Sequence, residues 1–529
     1  MSTLTNPHPL SGARTSRLAV AGLPLTAIAF LILSVAISLG WSHYKLLWND
    51  ELLVLWTDSA PSIGQIIQIQ RTGPLSLDPL LYHVLAHFSI HFFGAGAFAI
   101  RLPSLLGYLL MEICLFFFVR RIIDERTAVF ALAFPAITAT LYYSAEGRPY
   151  GMMLGFCALA MVSWQSATRR ESNRELALIT LAPAVALALN THYYCILILI
   201  PLCAAEVFRT FQRRRLDLPV IVSIGAGIAG IVFTLPFTKA AGEFRLHNYD
   251  AGLTTPHLIP EAFRFILVDY AGNNRGILHA LDIGLVLLIV LIVWGCIRLL
   301  CTRPQLLTKA EAVFLTLLAS LPIFGYLLSR FVTHTIEPRH LIPALVGVTP
   351  LLAFALSPLF CRKKAGNFTL LALFLAVAFA GAIRIHTERA SMQKTMSALT
   401  LAPEAKARLM ANPGQLLYVQ DEHRFASASY YVPDAEVRSR LALVYSFDQE
   451  MLWGNHNTDA LTAMHMRAFT HFNIVRYESV AAQPGEHLFV QVGDSGFDWT
   501  NQAFSADHAN INPLGSGLGG EVLSVRFIP

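Results

Sequence analysis

The chain has 529 residues, 55% of them hydrophobic and only 14% charged, with mean hydropathy +0.53 and a formal net charge of +5. Soluble globular domains carry about 25% charged residues, so a water-soluble fold is excluded for most of the chain. The modest charge gives no case for nucleic acid, and the seven cysteines show neither a disulfide framework nor paired metal-ligand spacing.

In chain order, Arg14 and Arg17 precede an apolar run that ends near Gly40. The run is longer than a signal-peptide core and reads as a retained first span. A helix needs about 20 apolar residues to cross the hydrocarbon core. Candidate spans fall near 18–40, 102–119, 127–144, 150–167, 175–190, 193–208, 218–237, 278–300, 310–328, 340–360 and 367–385. The fold class expected is therefore an α-helical polytopic membrane protein with about eleven transmembrane helices. The stretch Pro79–Phe93 is short and carries His83, His87 and His91, so it reads as an interfacial helix with a polar stripe rather than a span or a metal site.

Charge sets the orientation. With the N-terminus inside, the basic clusters Arg120-Arg121, Arg169-Arg170, Arg213-Arg214-Arg215 and Arg362-Lys363-Lys364 all fall on the inner side, as the positive-inside rule requires. The outer side then receives a long first loop (41–101), a second long loop (238–277) and the tail. The first loop contains Asp50, Glu51 and Asp78, and a shorter one contains Glu146 and Arg148. His192 and Tyr193 lie in the next, and Glu337 and Arg339 in the last. Charged residues held at a membrane surface tend to mark function.

The tail, 386–529, is polar. Strand-like runs at Leu416–Gln420, Leu441–Phe447, Asn473–Tyr477, His487–Val492 and Val522–Ile528 alternate with helix-like stretches such as Asp459–Phe469. The expectation is a transmembrane module over 1–385 and a small, separate α/β extracytoplasmic domain over 386–529. The Gly-rich segment beginning at Asn512 reads as a plain turn, because it does not join a strand to a helix as a phosphate loop would.

Carboxylates can act as general bases toward an acceptor, and arginines can hold a phosphate by forked hydrogen bonds. Both types gather on the outer side. Glu146 with Arg148 also reads as a local ion pair, Arg339 as a lipid-snorkelling side chain, and His192 with Tyr193 as part of an aromatic belt.

An ordered set of segments now stands out: Trp48-Asn49-Asp50-Glu51, Asp78-Pro79-Leu80-Leu81-Tyr82, Arg101-Leu102-Pro103-Ser104, Ser144-Ala145-Glu146-Gly147-Arg148-Pro149-Tyr150, Thr191-His192-Tyr193-Tyr194 and Arg339-His340-Leu341. In this order they resemble GT-C class membrane glycosyltransferases, in particular the protein mannosyltransferase and aminoarabinose transferase superfamily, over roughly 15–385. The resemblance implies inverting transfer of a sugar from a polyprenyl-phosphate donor to an acceptor hydroxyl or phosphate on the outer face of the inner (plasma) membrane. It implies Asp50 as catalytic base. Substrate-binding candidates are Glu51, Asp78, Glu146, Arg148, Tyr150, His192, Tyr193 and Arg339. Relatives often have a second proline where this chain has Asp78. No metal ligands are assigned and no cofactor is fixed, with a divalent cation left as an alternative. The partners implied are the lipid-linked donor, membrane lipid, and a glycan, lipid or protein acceptor. A lipid or polysaccharide flippase and a non-catalytic envelope-assembly component are the rival readings. A transporter, however, places ionisable groups near the midplane and shows related halves, and neither is visible here.

Overall fold

In the computed structural model of the chain, residues 22–169, 173–243, 255–268, 274–302, 306–334, 336–492 and 498–527 are described. Arg14, Arg17, Arg170 and much of the second long loop lie outside them. The apolar runs are helices, because a helix satisfies its own backbone where no water is available to do so. The first is α1 (Leu25–Tyr44). The first loop is itself helical, with α2 (Asn49–Asp58), α3 (Ile63–Thr72) and α4 (Leu80–Phe93). Next come α5 (Ala97–Arg120), α6 (Glu125–Ala133), α7 (Tyr150–Arg169), α8 (Arg174–Thr191), α9 (Leu199–Arg213), α10 (Leu218–Ala229), α11 (Leu235–Ala241) and α12 (Leu258–Leu267). The bundle closes with α13 (Arg275–Thr302), α14 (Lys309–Ala319), α15 (Leu321–Leu328), α16 (Ala344–Cys361) and α17 (Lys363–Ala398).

Six helical stretches among the described residues are long and apolar enough to cross a membrane. A seventh forms if Lys309–Ala319 and Leu321–Thr333, bent by 53° at Ser320, count as one span. Other expected spans are shorter or broken. The stretch 127–144 is α6 followed by two 3-10 turns, Phe134–Ile137 and Ala139–Ser144. The break falls at Pro135, whose ring crowds the carbonyl four residues back and removes an amide donor.

Helix direction places the polar residues. α1 rises to the end that holds Lys45, α5 starts there with Arg101, and α7 starts there with Tyr150. α8 returns there to His192, and α16 starts just after Arg339. At the opposite end other charges pair among themselves. Arg169 binds Glu311 at 2.6 Å, and Asp217 takes Arg174 at 2.5 Å and Arg209 at 2.9 Å.

The crossing of α5 and α7 fixes the site's frame. A Cβ on Gly107 would lie 2.4 Å from the Met152 backbone, and one on Gly151 would lie 2.2 Å from the Ser104 carbonyl. Only glycine permits this approach, and Gly151 with Gly155 forms the small-xxx-small spacing that membrane helices use for it.

The tail carries a six-stranded sheet of β1 (Leu417–Val419), β2 (Leu441–Tyr445), β3 (Asn473–Arg476), β4 (Glu486–Gln491), β5 (Asn510–Gly517) and β6 (Gly520–Arg526), in the order β3-β2-β1-β4-β6-β5. The first four are parallel, and β6 and β5 run antiparallel. The Gly-rich segment expected as a turn is in fact mostly β5. The chain reverses only at Leu518–Gly519, and the register shift between Pro513 and Gly515 absorbs the proline. An edge strand tolerates both Pro and Gly.

The tail also packs against the first loop. Leu53 and Leu75 belong to the same apolar core as Leu417, Val419 and Leu443. Trp56 meets Phe472 edge to face at 4.9 Å. The Leu47 amide donates to Tyr431 Oη at 2.6 Å, and His465 Nδ1 lies 3.1 Å from the Pro74 carbonyl. α17 runs unbroken through residue 385 into the tail.

Candidate active site

Trp48, Asn49, Asp50 and Glu51 form the first turn of α2. Trp48 is its N-cap, and the Glu51 carboxylate accepts from the cap's backbone N–H. Acidic residues are favoured at a helix N-terminus by the four open N–H groups and the dipole. Successive helix positions point about 100° apart, so the two acids face different surroundings.

Glu51 faces inward and is fully buried. Its oxygens accept from Arg101 Nε at 2.7 Å, Arg101 Nη2 at 2.7 Å, Lys45 Nζ at 3.0 Å and the Gly147 amide at 2.6 Å. Burial alone would raise its pKa, but Arg101 and then Lys45 outweigh that and hold it at about 2. Every lone pair is engaged, so Glu51 touches the loop 145–149 rather than open space. The Arg101 guanidinium also donates to the Ser42 and Lys45 carbonyls, at 2.8 and 2.9 Å, which seals the end of α1.

Asp50 faces the other way and keeps 22% of its side chain exposed. One oxygen takes Arg148 Nη1 at 2.5 Å. The same guanidinium lies against Asp78, with Nε at 3.0 Å and Nη2 at 3.3 Å. Asp78 also accepts from Ser76 Oγ at 2.9 Å. Burial works against the Asp78 charge, but Arg148 and the nearby histidines outweigh it and lower its pKa. Arg148 is thus held between two carboxylates.

Glu146 is buried, at 3% exposed. Trp48 Nε1 donates to its Oε1 at 3.1 Å, and Oε2 has no hydrogen-bond partner among the described residues. Burial is the main cause that lifts its pKa to about 7. Arg339 pairs with Glu337 at 2.6 Å and keeps 26% of its side chain exposed. It is the most open arginine of the group. Tyr150 and His192 lie behind it, with rings 5.5 Å apart, and His192 and His340 are 4.9 Å apart. Burial drives the His192 pKa down to about 4, so that ring is neutral near pH 7. Tyr193 is half-buried beside it.

The structure therefore brings Asp50, Glu51, Asp78, Glu146, Arg148, Tyr150, His192 and Arg339 to one end of the bundle. It separates the three histidines of α4. His83 Nδ1 is 2.7 Å from buried Asp58, His87 Nδ1 is 2.8 Å from the Asp58 carbonyl, and His91 is exposed. Sequence reasoning missed Arg101 as the main partner of Glu51, and it missed the tail. Asn49 Nδ2 donates to Glu422 Oε1 at 3.0 Å across 373 positions. In the tail, Glu450, His456 and Asp459 bring one ligand atom each within 4.8 Å of one another. Glu450 is already engaged there as a cap on the Asp459 and Ala460 amides, at 3.0 and 2.8 Å.

Residues 78–237 match the family model for dolichyl-phosphate-mannose-protein mannosyltransferase. The crystal structure of ArnT from Cupriavidus metallidurans bound to undecaprenyl phosphate aligns with a TM-score of 0.57 at 13% identity, over 94% of this chain and 97% of that one. The chain has the GT-C fold. The apo form of the same ArnT gives 0.55 at 13% identity, over 94% and 98%. An oligosaccharyltransferase from Archaeoglobus fulgidus in complex with Zn and sulfate gives 0.46 at 11% identity, over 87% and 68%, and carries no weight at that score. No curated protein matches by sequence. Within this GT-C fold the alignment with ArnT takes in the bundle and the tail together, as the coverage requires.

Proposed function

We propose that the chain is a membrane glycosyltransferase that moves a sugar from a polyprenyl-phosphate donor to an acceptor hydroxyl or phosphate on the outer face of the membrane. One observation carries this reading. In a fold shared with a protein crystallised with undecaprenyl phosphate, Asp50 is a carboxylate oriented by an arginine and yet open to solvent. A base needs that combination, a fixed direction and access to the acceptor. In this reading Asp50 takes the acceptor proton as its oxygen attacks the sugar carbon from the face opposite the phosphate, which inverts the centre. Arg339, with a partly exposed guanidinium, holds the donor phosphate. Arg148 orients Asp50, and Asp78, Tyr150, His192 and Tyr193 shape the sugar pocket. The bundle crosses the membrane about eleven times, with the site and tail extracytoplasmic. Charges gathered at one end of the bundle favour this over a transporter.

The test is release of undecaprenyl phosphate from a panel of synthetic undecaprenyl-phosphate sugars by purified protein, with envelope lipid extract as acceptor. Asp50→Asn keeps the shape and removes the base, so the rate should fall by about 10²–10⁴-fold with folding unchanged. Wild-type turnover in that variant would remove Asp50 from the mechanism. Consumption of no panel sugar by the wild type would count against the glycosyltransferase reading.

A further inference from the structure

We propose that Glu146 is a second catalytic carboxyl, which gives a proton to the phosphate oxygen as the donor's glycosidic bond breaks. This rests on the glycosyltransferase reading above and assigns to Glu146 a chemical step rather than a contact.

Two glutamates lie side by side in the same buried wall and differ in one respect. Glu51 has cations and an amide on both oxygens. Glu146 has a single indole N–H on Oε1, and its Oε2 is buried with no partner among the described residues. An ionised carboxylate with an open buried oxygen is costly, whereas a protonated one is not and has a hydrogen to donate. The side chain is also held in place. Gly147, the next residue, donates to Glu51, Ser104 Oγ donates to the Arg148 carbonyl, and Trp48 grips Oε1. The charged and titratable groups around it are Lys45 from the end of α1, Glu51 from α2, Arg148 from its own loop and Arg339 from the turn before α16. The phenols Tyr142, Tyr143 and Tyr150 also feel its charge. Arg339, the proposed phosphate holder, is among the charges that act on Glu146, whereas Asp50 is bound by Arg148, so Glu146 is assigned to the leaving-group side and Asp50 to the acceptor side.

The step balances. The acceptor oxygen forms a bond to the sugar carbon while the bond from that carbon to the phosphate oxygen breaks. The acceptor proton passes to Asp50, and the Glu146 proton passes to the departing phosphate. Water then restores both. A phosphate monoester has its second pKa near about 6, so an acid that titrates at about 7 is well matched to it. Below pH 7 Glu146 is protonated and active; above it the proton is lost and the carboxylate repels the phosphate.

Undecaprenyl phosphate itself is the first probe, bound to full-length protein in nanodiscs between pH 6 and pH 8. Wild-type affinity should weaken by about fivefold from pH 7 to pH 8, as the protonated fraction of a group with a pKa near 7 falls from about one half to about one tenth. Glu146→Gln should bind as well as wild type at pH 6 and show no such loss at pH 8. Turnover of the panel sugars is the second probe. The wild-type rate should fall above about pH 7, and the glutamine variant should be slower by about 10²-fold or more and lack that fall. Trp48→Phe removes the donor on Oε1, which favours the protonated form, so both transitions should move to higher pH. This second variant keeps the proposal testable if Glu146→Gln does not fold. An unchanged alkaline transition in Glu146→Gln, or in Trp48→Phe where the glutamine variant is lost, overturns the role of Glu146. If no sugar is consumed but the undecaprenyl phosphate transition is present and absent in Glu146→Gln, then phosphate protonation stands and the transferase reading fails.

Discussion

Glu51 shows what a single residue contributes here. Five N–H donors on one buried carboxylate, two from Arg101 and one each from Lys45, Gly147 and Trp48, hold α1, α2, α5 and the loop 145–149 to a common point. Glu51→Gln would leave Arg101 and Lys45 facing a neutral group in a buried setting. Breaking one side of a buried ion pair costs about 3–5 kcal/mol, so thermal unfolding in detergent should shift down clearly, and activity should fall with it. Acid stability follows from the same group. Its pKa is depressed to about 2, so its stabilisation is complete above the ordinary carboxylate range near 4.5. It is lost as pH falls through about 2, and wild-type protein should lose more stability over that window than Glu51→Gln, which keeps the other paired carboxylates such as Asp78. Arg339 behaves differently, because it is partly open and, among the described residues, its ion pair is with Glu337. Arg339→Ala should raise the KM for the lipid donor with little change in unfolding temperature. Arg339→Lys should rescue only in part, since lysine supplies the charge without the fork. Equal donor affinity in wild type and Arg339→Ala would move phosphate binding elsewhere. Much of this was legible before any coordinates. Asp50, Asp78, Glu146, Arg148 and Arg339 each interrupt or follow an apolar run, where a charge has no packing reason to be. Their division of labour was not legible. Whether a carboxylate in the pair at 50–51 is saturated or open depends on Arg101 and Gly147, which reach it from 50 and 96 positions away.

Elements position these residues through one close crossing. Gly107 on α5 and Gly151 on α7 let two backbones touch, and Ser104 and Arg148 sit just beyond the contact. Gly151→Leu would push α7 away from α5 and carry the 145–149 loop with it. Overpacking of this kind costs about 1–3 kcal/mol, and a shift of about 1 Å in a catalytic group costs on the order of 10²-fold in rate. The expected result is a moderate fall in unfolding temperature with a much larger loss of turnover. Turnover falling only in proportion to folded protein would show that the crossing does not set the site's geometry. The long helices such as α1, α5, α7, α13 and α17 were readable from apolar length, whereas α2 and α3 were not, and the sheet strands β1 to β4 and β6 were readable from their short apolar runs. β5 was not, because Pro513 and the glycines that follow it carry the composition of a turn. Pairing with β6, a tertiary effect, decides its conformation.

At the scale of the whole molecule, the tail does not stand apart. The apolar face of α2, with Leu53 and Trp56, has to be covered, and the tail covers it with the core that includes Leu417, Leu443 and Phe472. Polar composition suggested a separate folded unit, since composition reports what faces water and not which neighbour a half-buried face will find. Asn49, next to Asp50, reaches Glu422 in the tail. Burial, and then nearby Asp459, raise the Glu422 pKa well above the ordinary range, so that side chain accepts as a neutral acid and adds no charge beside Asp50. A stop codon after His386 therefore removes more than an acceptor grip. It uncovers Leu53, Leu75 and Trp56 and frees the amide of Leu47 from Tyr431. The shortened chain should still insert, because the stop leaves the apolar part of α17 and every earlier apolar helix in place. Its first loop should open locally, as regions with few buried contacts do. Trypsin should then cut faster after Arg71, on the exposed face of α3, and transfer from the panel donors should fall even when acceptor is in excess. A truncated protein with wild-type protection at Arg71 and wild-type donor consumption would show that the bundle holds α2 in place by itself.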